Sequence, residues 1–333
     1  MIDKYNRAID YIRISVTDRC NLRCVYCMPE QGVDFVPHEN IITFEEIIKL
    51  CEYFGKLGIS KVKITGGEPL VRKNLPYLIK KIKEVPEIKN VTRTTNGILL
   101  KEQMNSLAEA GLDAINISLD TLDEKTFEKL TRLPYLNKVM EGMEEALKYK
   151  EILIKINCVP IKAYNSNESI LEMIELARLN NVHIRYIQMM PIGPNKTLTS
   201  ISEEEIKTLI TDTYGDMLHY EYSLGNGPSR YYSINGFKGK IGFISAVNHQ
   251  FCDSCNRLRL TSQGVLKSCL QYAGGVNLKD LLRAGVLEEE ILELIRKGIY
   301  NKPKKHQFES DTTTLDTLSN HSLEHGNMSQ IGG

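Results

Sequence analysis

The stretch "YIRISVTDRCNLRCVYC", residues 11–27, runs from an apolar, β-branched segment into three closely spaced cysteines. Residues 11–17 have the composition of a strand, and Cys20, Cys24 and Cys27 follow at its carboxyl end. The strand signal recurs downstream, at 61–65 (KVKIT), 90–95 (NVTRTT), 113–119 (DAINISL), 152–159 (ILIKINCV) and 182–187 (VHIRYI). Helical patterns separate these runs, among them 43–58, 102–111 and 168–180. The first opens on Thr43 with Glu46 three residues later, a capping box, and ends at Gly58. Six β/α units in series predict an α/β fold with a parallel sheet, either open and doubly wound or a partial barrel. Both architectures carry their chemistry at the carboxyl ends of the strands. The motifs fall there: the cysteine loop after the first strand, GGEP after the second, TNG after the third, SLD after the fourth and MMPIG after the sixth.

Past about residue 215 the texture changes to short strand-like runs between Gly-rich turns, followed by helical patterns at 277–285 and 287–299. Three regions are therefore expected: 1–215, the β/α region; 216–308, a smaller α+β region; and 309–333, a polar, mobile tail ending in Gly332 and Gly333.

Lys plus Arg and Asp plus Glu both total 42, so no net field draws the chain to nucleic acid or to a membrane surface. No apolar run reaches the length of a membrane span, and "MIDKYNRAIDY" lacks the apolar centre of an export signal. The expected compartment is the cytoplasm, where eight cysteines stay reduced and clustered thiols serve as metal ligands rather than disulfides.

The first cysteine set has the spacing C-x3-C-x2-C, three thiolates where a closed zinc or iron–sulfur site takes four ligands. His38 is the one nearby residue able to close a zinc site, but structural zinc sites pair their ligands in two short spacings. "TGGEP" (65–69) puts two glycines at a strand end, which makes a tight turn or lets a ligand approach the backbone. The second set, Cys252, Cys255 and Cys269, again offers three thiols, with His249 or Cys158 available as a fourth ligand. Its spacing alone does not separate zinc from iron–sulfur. Between these cysteines lies "NRLRL", in which an extended backbone turns Arg257 and Arg259 to one face, either an anion clamp or a solvated edge. No P-loop occurs, so a triphosphate would be held by side chains.

C-x3-C-x2-C with an aromatic residue before the last cysteine resembles the signature of radical S-adenosylmethionine enzymes. In that family three thiolates hold a 4Fe–4S cluster whose fourth iron binds the cosubstrate, S-adenosyl-L-methionine. Taken with "ITGGEPLVR", "TTNG", "SLD", "GFISAVNHQFCDSCNRLRLT" and the terminal "MSQIGG", the chain resembles the GTP 3′,8-cyclase family, the lyases that open molybdenum cofactor biosynthesis. The match covers residues 10–308 and 326–333. The resemblance implies an incomplete (β/α)6 TIM-like barrel, closed by the C-terminal region, with two 4Fe–4S clusters. Cys20, Cys24 and Cys27 would hold the cluster that cleaves S-adenosylmethionine. The resulting 5′-deoxyadenosyl radical would take hydrogen from the 3′ carbon of GTP ribose, and that carbon would join guanine C8, giving 3′,8-cyclo-7,8-dihydro-GTP. Cys252, Cys255 and Cys269 would hold the second cluster, whose free iron binds the guanine. Implied contacts to S-adenosylmethionine are Tyr26, Gly67, Asn96, Ser118 and Met190. Those to GTP are Arg13, Lys63, Thr94, Lys155, Arg257, Leu258 and Arg259, with Arg13 also counted as catalytic and Gly332–Gly333 reaching into the cleft.

Implied partners besides GTP are an external electron donor and the downstream cyclic pyranopterin synthase; a homodimer is compatible with the pattern, and neither nucleic acid nor membrane is expected. Lys63 stands where the family more often has Arg, which keeps the charge but loses the bidentate fork. Residues 309–325 are longer and more polar than expected before the terminal glycines. The rivals are another twin-cluster radical enzyme acting on a peptide or other nucleotide, which usually has more C-terminal cysteines, and a zinc-bound module, which the β/α repeat disfavours.

Overall fold

In a computed structural model, residues 1–192, 198–308, 324, 326 and 328–331 are described. The six expected strands form as β1 (Tyr11–Ser15), β2 (Lys61–Thr65), β3 (Asn90–Thr95), β4 (Ala114–Ser118), β5 (Leu153–Cys158) and β6 (His183–Ile187). Six helices alternate with them: α1 (Phe44–Lys56), α2 (Leu75–Lys83), α3 (Leu100–Glu109), α4 (Glu124–Thr131), α5 (Leu136–Ala146) and α6 (Asn167–Leu179). The capping box at Thr43 and Glu46 is present at the start of α1, and Gly58 takes the left-handed φ of +84° just past its end.

The C-terminal region contributes α7 (Glu203–Tyr214), β7 (Met217–Tyr220), β8 (Arg230–Ile234), β9 (Ile241–Ile244), β10 (Arg257–Leu260), β11 (Val265–Lys267), β12 (Val276–Asn277), α8 (Leu278–Arg283) and α9 (Glu288–Tyr300). A single turn, α10 (Met328–Ile331), follows. These strands do not form a sheet of their own. β9 pairs parallel with β6 and β10 pairs parallel with β1, so that the parallel run is β10-β1-β2-β3-β4-β5-β6-β9 within a twelve-stranded sheet. Antiparallel β11 and β12 extend one edge, and β8 and β7 the other. The sheet stays open among the described residues, an incomplete barrel with two extra parallel strands taken from the C-terminal region.

Its two faces are sorted by the strand period of two. Ile12, Ile14, Val62, Ile64, Val91, Ile115, Ile117, Ile154, Ile156, Ile184, Leu258 and Leu260 are buried in one continuous apolar core beneath the helices. The alternate positions are polar: Arg13, Lys63, Thr92, Asn116, Lys155, His183, Arg257 and Arg259. They line the lumen. The remaining two cysteines belong to the apolar side: Cys51 and Cys158 are fully buried in that core, and burial pushes both thiols far up. No helix among the described residues is long and apolar enough to cross a membrane.

Candidate active site

At the carboxyl end of the strands the loops interlock. The Gly67 N–H donates to the Thr17 carbonyl at 2.7 Å, and the Glu68 N–H to the Arg19 carbonyl at 2.8 Å. A β-carbon on Gly67 would sit 2.3 Å from the Arg19 carbonyl oxygen, so only glycine fits against the cysteine loop. The Glu68 carboxylate accepts from Leu70 N–H (3.0 Å), Thr95 Oγ1 (2.8 Å), Asn96 N–H (2.6 Å) and the buried Arg93 guanidinium (3.3 Å). Asn96 in turn donates to Asn21 Oδ1 at 2.7 Å and reaches Cys20 Sγ at 3.9 Å. On the other side of the loop, Val25 and Arg23 N–H groups bind carbonyls at the end of α4, and Arg132 donates to the Arg23 and Met28 carbonyls. The Tyr26 hydroxyl donates to Asp120 at 2.7 Å, whose other oxygen accepts from Val159 N–H at 2.8 Å. Ser118 ends β4, and Met190 lies half-buried in the loop after β6, close in sequence to residues 193–197 outside the described set.

Two of the three N-terminal sulfurs, Cys20 and Cys24, sit in surroundings hostile to bare thiolates. Burial pushes Cys20 up to about 11, with the Glu68 carboxylate adding to the rise. Cys24 is held well above its ordinary range by burial and by the neighbouring sulfurs of Cys27 and Cys20. Three thiols crowded this way ionise together only when a metal group supplies positive charge. Among the described residues the three-ligand groups converging within 4.8 Å include neither cysteine set, only Glu203, Glu204 and His249. One zinc ion needs its sulfurs about 4 Å apart, given Zn–S bonds of about 2.3 Å. The wider spread suits a cluster whose thiolates bind separate irons. His249 converges with Glu203 and Glu204 instead. Glu203 of its group is already engaged by Lys207, Arg230 and Ser245.

Across the lumen the register puts cations side by side. Lys63 of β2 lies beside Arg13 of β1, Arg13 beside Arg259 of β10, and Arg259 beside Lys267 of β11. From the other side Lys155 of β5 and Arg185 of β6 face the same space. Burial holds Lys63 well below its ordinary range, with repulsion from Arg185, Arg13 and Lys155. Burial and Arg185 bring Lys155 down to about 7. Arg259 is lowered by burial, then by Arg13 and Arg257. Among the described residues no ion pair includes Lys63, Lys155, Arg185 or Arg257, whereas Lys267 is paired with Glu324. Thr94 takes part through the Asn116 amide at 3.4 Å. Leu258 does not face the lumen; its side chain is buried in the outer core between Arg257 and Arg259, so only its backbone is near the site.

The second cysteine set closes the opposite end. Cys252 and Cys255 precede β10 and Cys269 follows antiparallel β11, so all three lie at the amino end of β1, where Tyr11 N–H donates to the Asn256 carbonyl. A five-residue strand separates the two thiol sets along the lumen, about 17 Å at the usual rise. Burial raises Cys255, but Lys302 and Arg257 outweigh it and bring the thiol to about 6. Nearby, the loop before β8 covers the base: Asn226 donates to Asn90 at 2.6 Å, and Gly225, at φ +135°, lies against the Lys155 ammonium.

Sequence profiles of two families match the chain: the Radical SAM superfamily over residues 14–177 and Molybdenum Cofactor Synthesis C over residues 182–308. A GTP 3′,8-cyclase of Clostridium perfringens (strain SM101) is 46% identical over 308 residues, 92% of this chain and 95% of the relative. The GTP 3′,8-cyclase of Petrotoga mobilis is 43% identical with both chains covered in full. This chain belongs to the GTP 3′,8-cyclase family of radical S-adenosylmethionine enzymes. Among solved structures, Streptococcus suis SuiB superposes with a TM-score of 0.58 at 18% identity, over 87% of this chain and 68% of that one. The anSMEcpe structure with bound AdoMet gives 0.56 at 18%, over 87% and 82%. These two share the fold.

Around the candidate site of this GTP 3′,8-cyclase family member lie further polar residues that sequence reading did not single out. Glu68 and Asp120 lie inside the motifs GGEP and SLD, and their placement right after strands was the available signal. Arg185 and Lys267 were readable only through register, since each aligns with a lumen position of its neighbouring strand. Gly332, Gly333 and the segment 309–323 lie outside the described residues. Gly67→Ala is expected to break the rim: iron bound by Cys20, Cys24 and Cys27 falls and S-adenosylmethionine binding is lost, while the C-terminal site keeps its iron. Iron counting with calorimetric titration of S-adenosylmethionine checks this.

Proposed function

We infer that this chain is a radical S-adenosylmethionine lyase that converts GTP to 3′,8-cyclo-7,8-dihydro-GTP, the first step of molybdenum cofactor biosynthesis. The observation that carries the reading is the buried cation row stretched between two incomplete thiol sets. Cys20, Cys24 and Cys27 hold one 4Fe–4S cluster and Cys252, Cys255 and Cys269 the other. When bound, the N-terminal cluster would supply the electron for cleavage of S-adenosylmethionine, and the C-terminal cluster would give the guanine a metal group to bind.

The chain's own residues do the rest. Gly67 opens the backbone to the methionine end of S-adenosylmethionine, and Asn96, Ser118 and Met190 line the path of its nucleoside. Tyr26, fixed by Asp120, orients the loop against it. Arg13, Lys63, Lys155, Arg185, Arg257 and Arg259 take the triphosphate, whose charge relieves their mutual repulsion. Thr94 and the Leu258 backbone fix its orientation. The Gly225–Asn226 loop and the tail with Gly332 and Gly333 exclude water from the reacting carbon. The division into a catalytic region 1–215, a second-cluster region 216–308 and a tail 309–333 follows these roles. An external reductant supplies electrons, the downstream cyclic pyranopterin synthase receives the product, the chain works in the cytoplasm, and a homodimer is its proposed assembly.

Anaerobic incubation of the reduced, iron-loaded protein with S-adenosylmethionine and GTP, followed by mass and NMR identification of the nucleotide, tests the activity. Recovery of unchanged GTP beside cleaved S-adenosylmethionine would refute it.

Cys252→Ala is expected to leave S-adenosylmethionine cleavage measurable and to abolish cyclisation, because the guanine loses its anchor; chromatography of 5′-deoxyadenosine and of the nucleotide product separates the two. Lys155 titrates near 7 in the free lumen and must be charged beside a triphosphate, so binding takes up a proton once the pH exceeds that value. GTP affinity should therefore fall toward about tenfold per pH unit above 7. Lys155→Met should bind GTP about tenfold to a hundredfold more weakly, with that pH slope removed. Calorimetric titrations at pH 7 and 8.5, in buffers of different ionisation heat, report both.

A further inference from the structure

Lys302 is a cation buried without a carboxylate. It follows α9, is 2% exposed, and donates from Nζ to the Arg257 carbonyl at 2.9 Å and to the Ser268 carbonyl. Those carbonyls lie two residues after Cys255 and one before Cys269. Among the described residues Lys302 enters no ion pair, and burying an ammonium without counter-charge is strongly unfavourable. Its positive charge acts on the sulfurs of Cys252 and Cys255.

Its position is fixed from behind. Arg7, paired with Asp3 at 2.6 Å, forks onto the carbonyls of Cys252 (2.9 Å), Lys302 (3.3 Å), Pro303 (2.7 Å) and Lys304 (2.9 Å). The Tyr272 hydroxyl donates to the Lys305 carbonyl at 3.1 Å, and the His306 N–H reaches Cys252 Sγ. Arg257 adds a contact at 3.8 Å from Nη2 to Cys255 Sγ. Near the N-terminal sulfurs, Asp120 acts on Cys24, while Cys20 is influenced by Glu68, itself paired with Arg93, and by Arg23 in the opposite sense.

We propose that Lys302 is the counter-cation of the C-terminal iron–sulfur cluster and raises its reduction potential above that of the N-terminal cluster. This rests on the two-cluster reading. Taking up one electron adds one negative charge to the cluster, with no bond made or broken, and a fixed neighbouring cation stabilises that charge. Asp120 beside Cys24, held by the Tyr26 hydroxyl rather than by a cation, acts in the opposite sense at the first cluster, which would keep the more strongly reducing electron at the sulfonium end of the lumen.

The experiment compares wild type, Lys302→Met and Lys302→Arg as anaerobically reconstituted holoproteins, by iron and sulfide counting and by dithionite titration followed by electron paramagnetic resonance. Repeating the titration with Cys20, Cys24 and Cys27 all changed to Ala isolates the C-terminal signal. Lys302→Met, nearly the same shape, should keep its iron while its reduction equilibrium shifts at least tenfold toward the oxidised form, about 59 mV for one electron. Lys302→Arg should stay near wild type. Loss of the cluster from the Met variant but not from Arg also supports a role for charge. An unmoved potential with full iron in Lys302→Met, or loss of the cluster from both variants, overturns the proposal. Wild type binding only about four irons would sink the two-cluster reading itself.

Discussion

The mutual repulsion of the lumen cations governs this molecule. Arg13, Lys63 and Arg259 stand in register on neighbouring strands with little solvent to screen them, and Lys155 and Arg185 close the ring from the far side. Crowding like charges where solvent is scarce is destabilising. The fold tolerates this because the opposite face of the same strands is almost wholly Ile, Val and Leu under six helices. A lumen in this state has a large standing preference for a polyanion. A bound polyanion would remove the repulsion and add charge-assisted hydrogen bonds at once, so the groups that weaken the empty protein would give such a complex its affinity.

The same strand carries two opposed electrostatic settings. At the carboxyl end of β1 the thiols are buried against one another and against Glu68, and Cys20 is raised. At the amino end Cys255 is drawn below its ordinary value by Lys302 and Arg257 despite burial. Both sets offer three sulfurs, yet burial and Glu68 raise Cys20 whereas Lys302 and Arg257 lower Cys255. Spacing alone made the two sets look alike; what separates them is supplied by residues distant in sequence, Glu68 for the first and Lys302 for the second.

That difference marks how far the sequence could be read. β1 to β6 and the capping box at Thr43 announce themselves locally, since β-branched composition and an N-cap are properties of a few adjacent residues. The parallel pairing of β9 with β6 and β10 with β1 is not local. "IGFI" and "RLRL" are short, flanked by Gly-rich turns, and resemble hairpin strands; their partners are chosen by the open edges of the barrel. Strand alternation turns Arg257 and Arg259 to one face, and the same alternation sends Leu258 between them to the outer core. Arg185 escaped because it belongs to no motif. Only the alignment of Asn157 with Arg185 across β5 and β6 brings it to the lumen.

Closure of the lumen follows from the same open edges. A complete ring of strands would leave no side entrance for a nucleotide as large as GTP, whereas this sheet ends on β12 and β7. What closes it must be chain without regular pairing, able to lie flat against charged side chains. Gly225 is such a piece: its φ of +135° is costly for any residue with a β-carbon, and a β-carbon there would meet Lys155 Nζ at 2.5 Å. By helping to shut water away from that ammonium the loop, together with Arg185, lowers its proton affinity, so this covering also makes the free lumen sensitive to pH near neutrality. Solvent exclusion and charge tuning are here one contact, and a side chain at position 225 would disturb both together.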